Sequence, residues 1–185
     1  MSIDTLSDAQ QAARETLGNA SRDVLTNSSP CTEWDVAALI DHLVGSQYWF
    51  LEAISAPMPG GGNTKASSGD YVAAFDVVAS SVMEALSSDG FASRPVDLPF
   101  GTFTGDQFID FVSLETLAHA WDIARATSQS TDLAPNAAEH LLVIARALMG
   151  EEGRSQSTNF GPVQPCASDA PAADRLAAYL GRHID

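Results

Sequence analysis

The segment from Gly105 to Ala126 is almost continuously apolar, yet it carries a carboxylate and an imidazole four residues apart, at Glu115 and His119. Its length and apolar character predict a helix of about 30 Å that is the most buried in the protein. Residues four apart share one helical face, so both side chains point at the same object. An unpaired buried polar group costs about 1–3 kcal/mol. The pair therefore requires a partner, which is a metal ion, a backbone carbonyl or another side chain.

Helical periodicity and turn residues predict five more helices around this central one. We place them at about Asp4–Asn27, Asp35–Ser55, Asp70–Ser88, Asn136–Met149 and Pro171–Gly181. Thr32 with Asp35 resembles a capping box before the second helix, and the run Gly60–Gly62 is a flexible connection. Only the stretch from Phe91 to Thr104 has strand character. The predicted fold is all-α: an up-and-down four-helix bundle with a short β excursion and one or two extra helices, in a single domain over residues 1–185.

The charge balance limits the possible partners. The net charge of −15 argues against binding to nucleic acid or to anionic membrane surfaces, which both require basic patches. No apolar run approaches the ~20 residues that span a bilayer, and the N-terminus lacks the features of a signal peptide. We therefore expect a cytoplasmic location, where Cys31 and Cys166 are free thiols.

Helical bundles hold metals in their interior with side chains from facing helices. The second helix carries one histidine in its apolar face, so we predict a metal site formed by His42, Glu115 and His119, with open positions for water or substrate. By spacing alone the metal signal is weak, because Glu-x-x-x-His is common on helices; a helical Glu–His salt bridge or hydrogen-bonded pair beside a core histidine is then the favoured explanation. No residue is assigned a catalytic role.

The other polar and aromatic candidates have simpler interpretations. We expect Asp122 to pair with Arg125 three residues later, the alternative being that Asp122 orients His119. His140 and His183 are expected to be solvated. Cys31 is expected to be an inert thiol, the alternative being a reactive one at a helix N-terminus. The tryptophans are expected to be core residues, with a pocket wall as the alternative; they are Trp34, Trp49 and Trp121.

Three blocks resemble a mainly actinobacterial family: Pro30–Gly45, Glu115–Thr127 and Ala170–Arg182. These are the DinB-like four-helix proteins related to the N-terminal domain of mycothiol-dependent maleylpyruvate isomerase. The resemblance implies a divalent metal, usually zinc, held by a histidine and a Glu-x-x-x-His pair, which correspond to His42, Glu115 and His119. It also implies a low-molecular-weight thiol such as mycothiol as cosubstrate, and dimers are common in the superfamily.

The function expected from the resemblance is a metal-dependent thiol S-transferase or isomerase that acts on a small electrophile. The isomerase of that family carries a further C-terminal domain, so for a sequence that ends at Asp185 we do not expect maleylpyruvate isomerisation itself. Two alternatives stay open: a non-catalytic bundle that binds a metal or small ligand, and a metal-dependent hydrolase. Nickel, iron and manganese suit the same ligand set as zinc.

Overall fold

The computed structural model describes residues 2–60, 65–148 and 161–184, and within these ranges the chain is mostly helical. The helices are α1 (Ser2–Asn19), α2 (Val36–Ala53), α3 (Tyr71–Leu86), α4 (Gly105–Ala126), α5 (Pro135–Leu148) and α6 (Ala172–Tyr179). The strands β1 (Pro95–Leu98) and β2 (Gly101–Thr104) form an antiparallel pair. The mainly helical class and the β excursion are thus as predicted, whereas the up-and-down four-helix topology remains a prediction. The predicted end of α5 at Met149 and most of the glycine run lie outside the described residues.

Helix α4 is the centre of the core. Of its 22 residues, 16 are buried, and the helix packs against α1, α2, α5, α6 and both strands. Thr104 caps its N-terminus: the Thr104 side chain accepts from the Gln107 backbone N–H, and the Gln107 side chain accepts from the Thr104 N–H. This reciprocal pair satisfies two amides that would otherwise lack partners and fixes where α4 begins. Burial of the apolar faces of the other helices then holds α4 in place.

Gly105 is required for close packing at the start of α4. A Cβ atom at this position would lie 1.8 Å from the carbonyl oxygen of Phe91. That residue begins a short 3-10 turn, Phe91–Ser93, which packs against α4. The turn leads directly into β1, so the contact also places the hairpin against the helix, with Val96 buried.

One predicted helix end and one predicted cap residue are wrong. Helix α1 ends at Asn19 rather than Asn27, and a separate 3-10 turn follows at Arg22–Val24, because glycine and asparagine at positions 18 and 19 are poor residues for a helix interior. The cap of α2 is Asp35 itself, whose carboxylate accepts from the Ala38 N–H. Thr32 instead lies in the preceding turn.

The C-terminal end of α6 turns sharply at Gly181. The N–H of Gly181 donates to the Ala178 carbonyl and that of Arg182 donates to the Ala177 carbonyl, which is the Schellman pattern of helix termination. Gly181 has a φ of +96°, and a Cβ there would lie 2.7 Å from the Gly161 nitrogen. Only glycine fits, and the turn directs Arg182 back towards α4. Within the described ranges, no helix is long and apolar enough to cross a membrane.

Candidate metal centre

The structure brings together the three residues that the sequence singled out. His42 comes from α2, and Glu115 and His119 come from successive turns of α4. Glu115 Oε1 lies 3.1 Å from His42 Nε2 and 3.1 Å from His119 Nε2. Exposure of the side chains rises from 8% for His119 through 25% for Glu115 to 34% for His42. The cluster is therefore closed on the side of His119 and open on the side of His42.

Carboxylates flank the His119 imidazole at both nitrogens. Its Nδ1 atom lies 3.1 Å from Asp122 Oδ2, while its Nε2 atom faces Glu115. Burial disfavours the charged imidazole, but the hydrogen bonds with Asp122 and Glu115 raise the pKa of His119 well above its ordinary value of 6.5. An ionised carboxylate can only accept hydrogen bonds. Nε2 therefore requires either its own proton or a cation between it and Glu115.

Asp122 is the residue that orients His119. Its side chain is fully buried and also accepts from Arg182, at 3.2 Å from Nε to Oδ1 and 2.9 Å from Nη2 to Oδ2. Burial disfavours the charged carboxylate, but His119 and Arg182 outweigh it and lower the pKa of Asp122 to about 2. The predicted pairing of Asp122 with Arg125 is wrong, because Asp122 points into the core whereas Arg125 is exposed on the helix surface.

The His42, Glu115 and His119 donors suit a divalent cation. Two ligands at about 2.0–2.1 Å from a tetrahedral ion lie about 3.3 Å apart, close to the observed separations from Glu115 Oε1. Glu115 is held ionised as such a ligand requires: burial opposes its charge, but hydrogen bonds with His119 and His42 keep the pKa of this carboxyl below its ordinary range. The hydrogen bond from His119 to Asp122 is the arrangement that metal-ligating histidines usually have.

A second group of potential ligands lies on the other side of His119. Cys31 Sγ lies 3.4 Å from Asp122 Oδ2, and the thiol, His119 Nδ1 and this carboxylate are close enough together to share an ion. Both oxygens of Asp122, however, already accept from the Arg182 guanidinium. A cation bound there would lie next to a buried positive charge, so the donors of His42, Glu115 and His119 are the better metal site.

The cluster of His42, Glu115 and His119 opens into a cavity of about 350 Å³ between α2 and α4. His42 and Glu115 belong to its lining together with residues of α2 and one aromatic residue of α4, namely Asp41, Gly45, Ser46, Trp49, Phe50 and Phe111. A volume in this range is typical of small-molecule sites, about 300–1,000 Å³. A ligand in the cavity would therefore lie beside two of the candidate metal ligands, His42 and Glu115.

Two of the three tryptophans, Trp34 and Trp49, are not the fully buried core residues that we expected. Trp34 is only half-buried, and its ring lies 4.5 Å from the His42 ring and 5.9 Å from the His119 ring, measured between centroids. Trp49 lines the cavity and is 37% exposed. Trp121 is buried, as expected for a core residue.

The remaining histidines lie away from the cluster. His183 is exposed, as expected. His140 is not simply solvated, because its Nε2 lies 3.2 Å from Oδ1 of Asp110, a largely buried carboxylate on α4. Arg182 was not considered from the sequence, and the one available signal was Gly181, whose position after the last helix indicates a chain reversal.

Comparison with known proteins assigns the class of protein. Residues 6–124 match the model of the mycothiol maleylpyruvate isomerase N-terminal domain family. The chain belongs to this family, which confirms the relationship inferred from its motifs. The matched range includes all three predicted metal ligands.

Individual relatives extend the similarity beyond that domain. Two uncharacterized proteins from two strains of Mycobacterium tuberculosis, MT0763 and Rv0738, are each 37% identical to this chain over 180 residues, covering 95% of this chain and 94% of the relative. The crystal structure of the mycothiol-dependent maleylpyruvate isomerase matches with a TM-score of 0.59 and 16% identity, over 86% of this chain and 72% of that one. At this identity the match supports the shared fold.

Proposed function

We propose that this protein binds a divalent metal, which we take to be zinc, through His42, Glu115 and His119, and uses it in thiol S-transfer or isomerisation of a small electrophile. The observation that carries the proposal is the arrangement of three candidate ligands, in which the Glu115 carboxylate lies 3.1 Å from each of the two imidazoles. His42 and Glu115 also line a ligand-sized cavity. Family membership supports a low-molecular-weight thiol of the mycothiol type as cosubstrate. A metal ion in this site would supply Lewis acidity that favours the thiolate form of the thiol at neutral pH.

The chain's own residues prepare the site for this role. Asp122 accepts the Nδ1 proton of His119, so the Nε2 lone pair is directed at the cluster. Arg182 neutralises Asp122 and keeps it from competing as a ligand. In the proposed transfer, the thiol sulfur bonds to an electrophilic carbon, the leaving group departs with the electron pair of its broken bond, and the thiol proton goes to solvent.

The first experiment measures the metal content of untagged protein by mass spectrometry. His42→Ala is compared with wild type, and His140→Ala is the matched control, because His140 is also half-buried and also faces a carboxylate, but outside the cluster. We expect about one metal per chain in wild type and in His140→Ala, and loss of the metal in His42→Ala. Absence of metal from wild type after incubation with zinc, nickel, iron and manganese salts would contradict the proposal.

Thiol-conjugation assays then separate the enzyme from its alternatives. Turnover that requires both metal and thiol supports the transferase or isomerase. Stoichiometric metal binding without turnover on any thiol and electrophile pair would indicate a binding protein instead. Turnover without thiol would indicate a hydrolase that uses a metal-activated water.

A further inference from the structure

The cavity beside the metal ligands has two chemically distinct ends. One end is lined by the aromatic residues Trp49, Phe50 and Phe111, of which Phe50 is buried and Trp49 is 37% exposed. The Trp49 and Phe111 rings lie 6.3 Å apart in an edge-to-face arrangement, and those of Phe50 and Phe111 lie 6.0 Å apart. The other end carries His42 and Glu115. An aromatic ligand thus finds ring partners at one end while its reactive atom faces the metal ligands.

The charged groups of the lining are acidic. Asp41 and Glu115 contribute carboxylates, whereas the lining that the structure describes contains neither lysine nor arginine. Asp41 is held in place, because its Oδ1 atom accepts from the Ser67 N–H at 2.8 Å. The net charge of −15 adds a negative field around the opening. A ligand carboxylate at the aromatic end would lose water without gaining a cationic partner, which is unfavourable.

From these observations we propose that the cavity binds an uncharged aromatic small molecule, and that its aromatic end excludes anionic groups. This inference deepens the proposed function, because it names the class of electrophile that the site accepts. It also stands on the cavity alone, since binding of an unreactive aromatic probe requires neither metal nor thiol. Binding and turnover can therefore fail independently.

The test compares two unreactive probes that differ in one group, 1,3-dinitrobenzene and 3,5-dinitrobenzoate, by isothermal titration calorimetry of the metal-free protein, in which no bound cation attracts the carboxylate. We expect the neutral probe to bind at least about tenfold more tightly than the carboxylate. Asp41→Asn removes one negative charge, while its amide oxygen can still accept from the Ser67 N–H. We expect it to raise the affinity for the carboxylate probe by about fivefold and to leave the affinity for the neutral probe unchanged. Equal or tighter binding of the carboxylate to wild type would overturn the proposal, as would a preference that Asp41→Asn does not change.

A cavity-filling variant locates the binding site. Gly45 lines the cavity from α2, so Gly45→Leu places a side chain in the space of the ligand. We expect it to lower the affinity for the neutral probe by more than tenfold. Gly18→Leu is the matched control, because Gly18 is an exposed helical glycine with nothing within 4 Å of its Cβ position. Gly45→Ala is measured alongside as a milder change, in case the leucine variant does not fold, and should weaken the probe by a smaller factor. Unchanged affinity in the Gly45 variants would place the probe elsewhere and overturn the proposal.

If the neutral probe binds in the cavity but the protein holds no metal and turns over no thiol, the inference stands and the proposed function fails. If metal-dependent turnover is found but the carboxylate probe binds as well as the neutral one, the proposed function stands and the inference about the cavity fails. The two conclusions therefore have separate readouts.

Discussion

Arg182 and Asp122 are 60 residues apart in the sequence, and they form a two-point ion pair in the core, with Nε 3.2 Å from Oδ1 and Nη2 2.9 Å from Oδ2. Through this pair the segment after α6 supports His119, a histidine of the candidate metal site that the segment does not touch itself. The chain of contacts runs from Arg182 to Asp122, then to His119 Nδ1, and from His119 Nε2 to Glu115. Four predictions follow from this arrangement and its surroundings.

Arg182→Gln should strongly destabilise the metal-free protein. Removing one partner of a buried ion pair costs up to about 3–5 kcal/mol, and the His119 imidazole would be the remaining charged partner of the buried Asp122 carboxylate. Urea denaturation measures the free energy of unfolding. Arg175→Gln is the control, because Arg175 pairs at 2.6 Å with a largely exposed carboxylate, Glu139, and exposed pairs contribute about 0–1 kcal/mol. Similar losses in both variants would show that Asp122 does not depend on its guanidinium partner.

Asp122→Asn should weaken metal binding without abolishing it. The amide has nearly the same shape but no charge, so it orients His119 less firmly, and such changes typically cost 10- to 100-fold in metal affinity. Competition with a chromophoric chelator measures the dissociation constant. Asp110→Asn is the control, because Asp110 is another largely buried carboxylate of α4 that faces a histidine, His140, away from the cluster. An Asp122→Asn affinity equal to wild type would rule out the orienting role.

Cys31→Ser should leave the metal content unchanged. The thiol belongs only to the second group of potential ligands, in which Asp122 is already occupied by Arg182. Mass spectrometry of the purified variant measures the metal per chain, and His42→Ala is the comparison expected to lose it. Loss of metal in Cys31→Ser with retention in His42→Ala would assign the ion to the other side of His119.

Stability of the metal-free protein should fall above neutral pH. The raised pKa of His119 gives stability that is complete below 6.5 and is lost as the pH rises through the folded-state pKa. Glu115 and Asp122 have lowered pKa values. The stability that these two carboxylates contribute is therefore present above their ordinary pKa values of 4.5 and 3.8. It is lost as the pH falls through their folded-state pKa values. Tm should thus be highest at about pH 5–6.

Thermal unfolding in the presence of a chelator measures this pH dependence. His119→Gln lacks the titrating imidazole, so its Tm should fall less between pH 6 and pH 9. Zinc should reverse the trend in wild type, because the metal displaces a proton from His119 and its stabilisation therefore grows with pH. A metal-free wild-type Tm that rises steadily through this range would contradict the assignment of a charged His119.

The sequence predicted the parts of the site that follow from local geometry. Glu115 and His119 share a helical face by their spacing, and the apolar pattern around them correctly indicated burial. His42 was placed with them because it is the histidine in the apolar face of the second helix, and the family resemblance supported this choice, since spacing alone does not show which helices face each other. The pairing of Asp122 with Arg125 failed for the same reason: helical spacing favours a local partner, whereas burial of Asp122 selects Arg182 from a distant segment.

The helix boundaries were likewise predictable only where local residues determine them. The start of α4 follows from local capping residues, Thr104 and Gln107, although the close approach of Phe91 to Gly105 depends on tertiary packing. The end of α1 was placed too late because apolar periodicity continues through Val24 and Leu25, which pack on the core from a separate turn. Periodicity reports which side chains are buried and does not report whether the backbone between them stays helical.

The position of Trp34 has a practical consequence. Its indole lies against the rings of both His42 and His119, and a protonated imidazole next to an indole quenches its fluorescence. Loss of the His119 proton, or its replacement by a metal, therefore changes the light that the protein emits. The chain carries an intrinsic optical reporter of the cluster formed by His42, Glu115 and His119, one that requires no label and can be read during a titration or in a stopped-flow instrument.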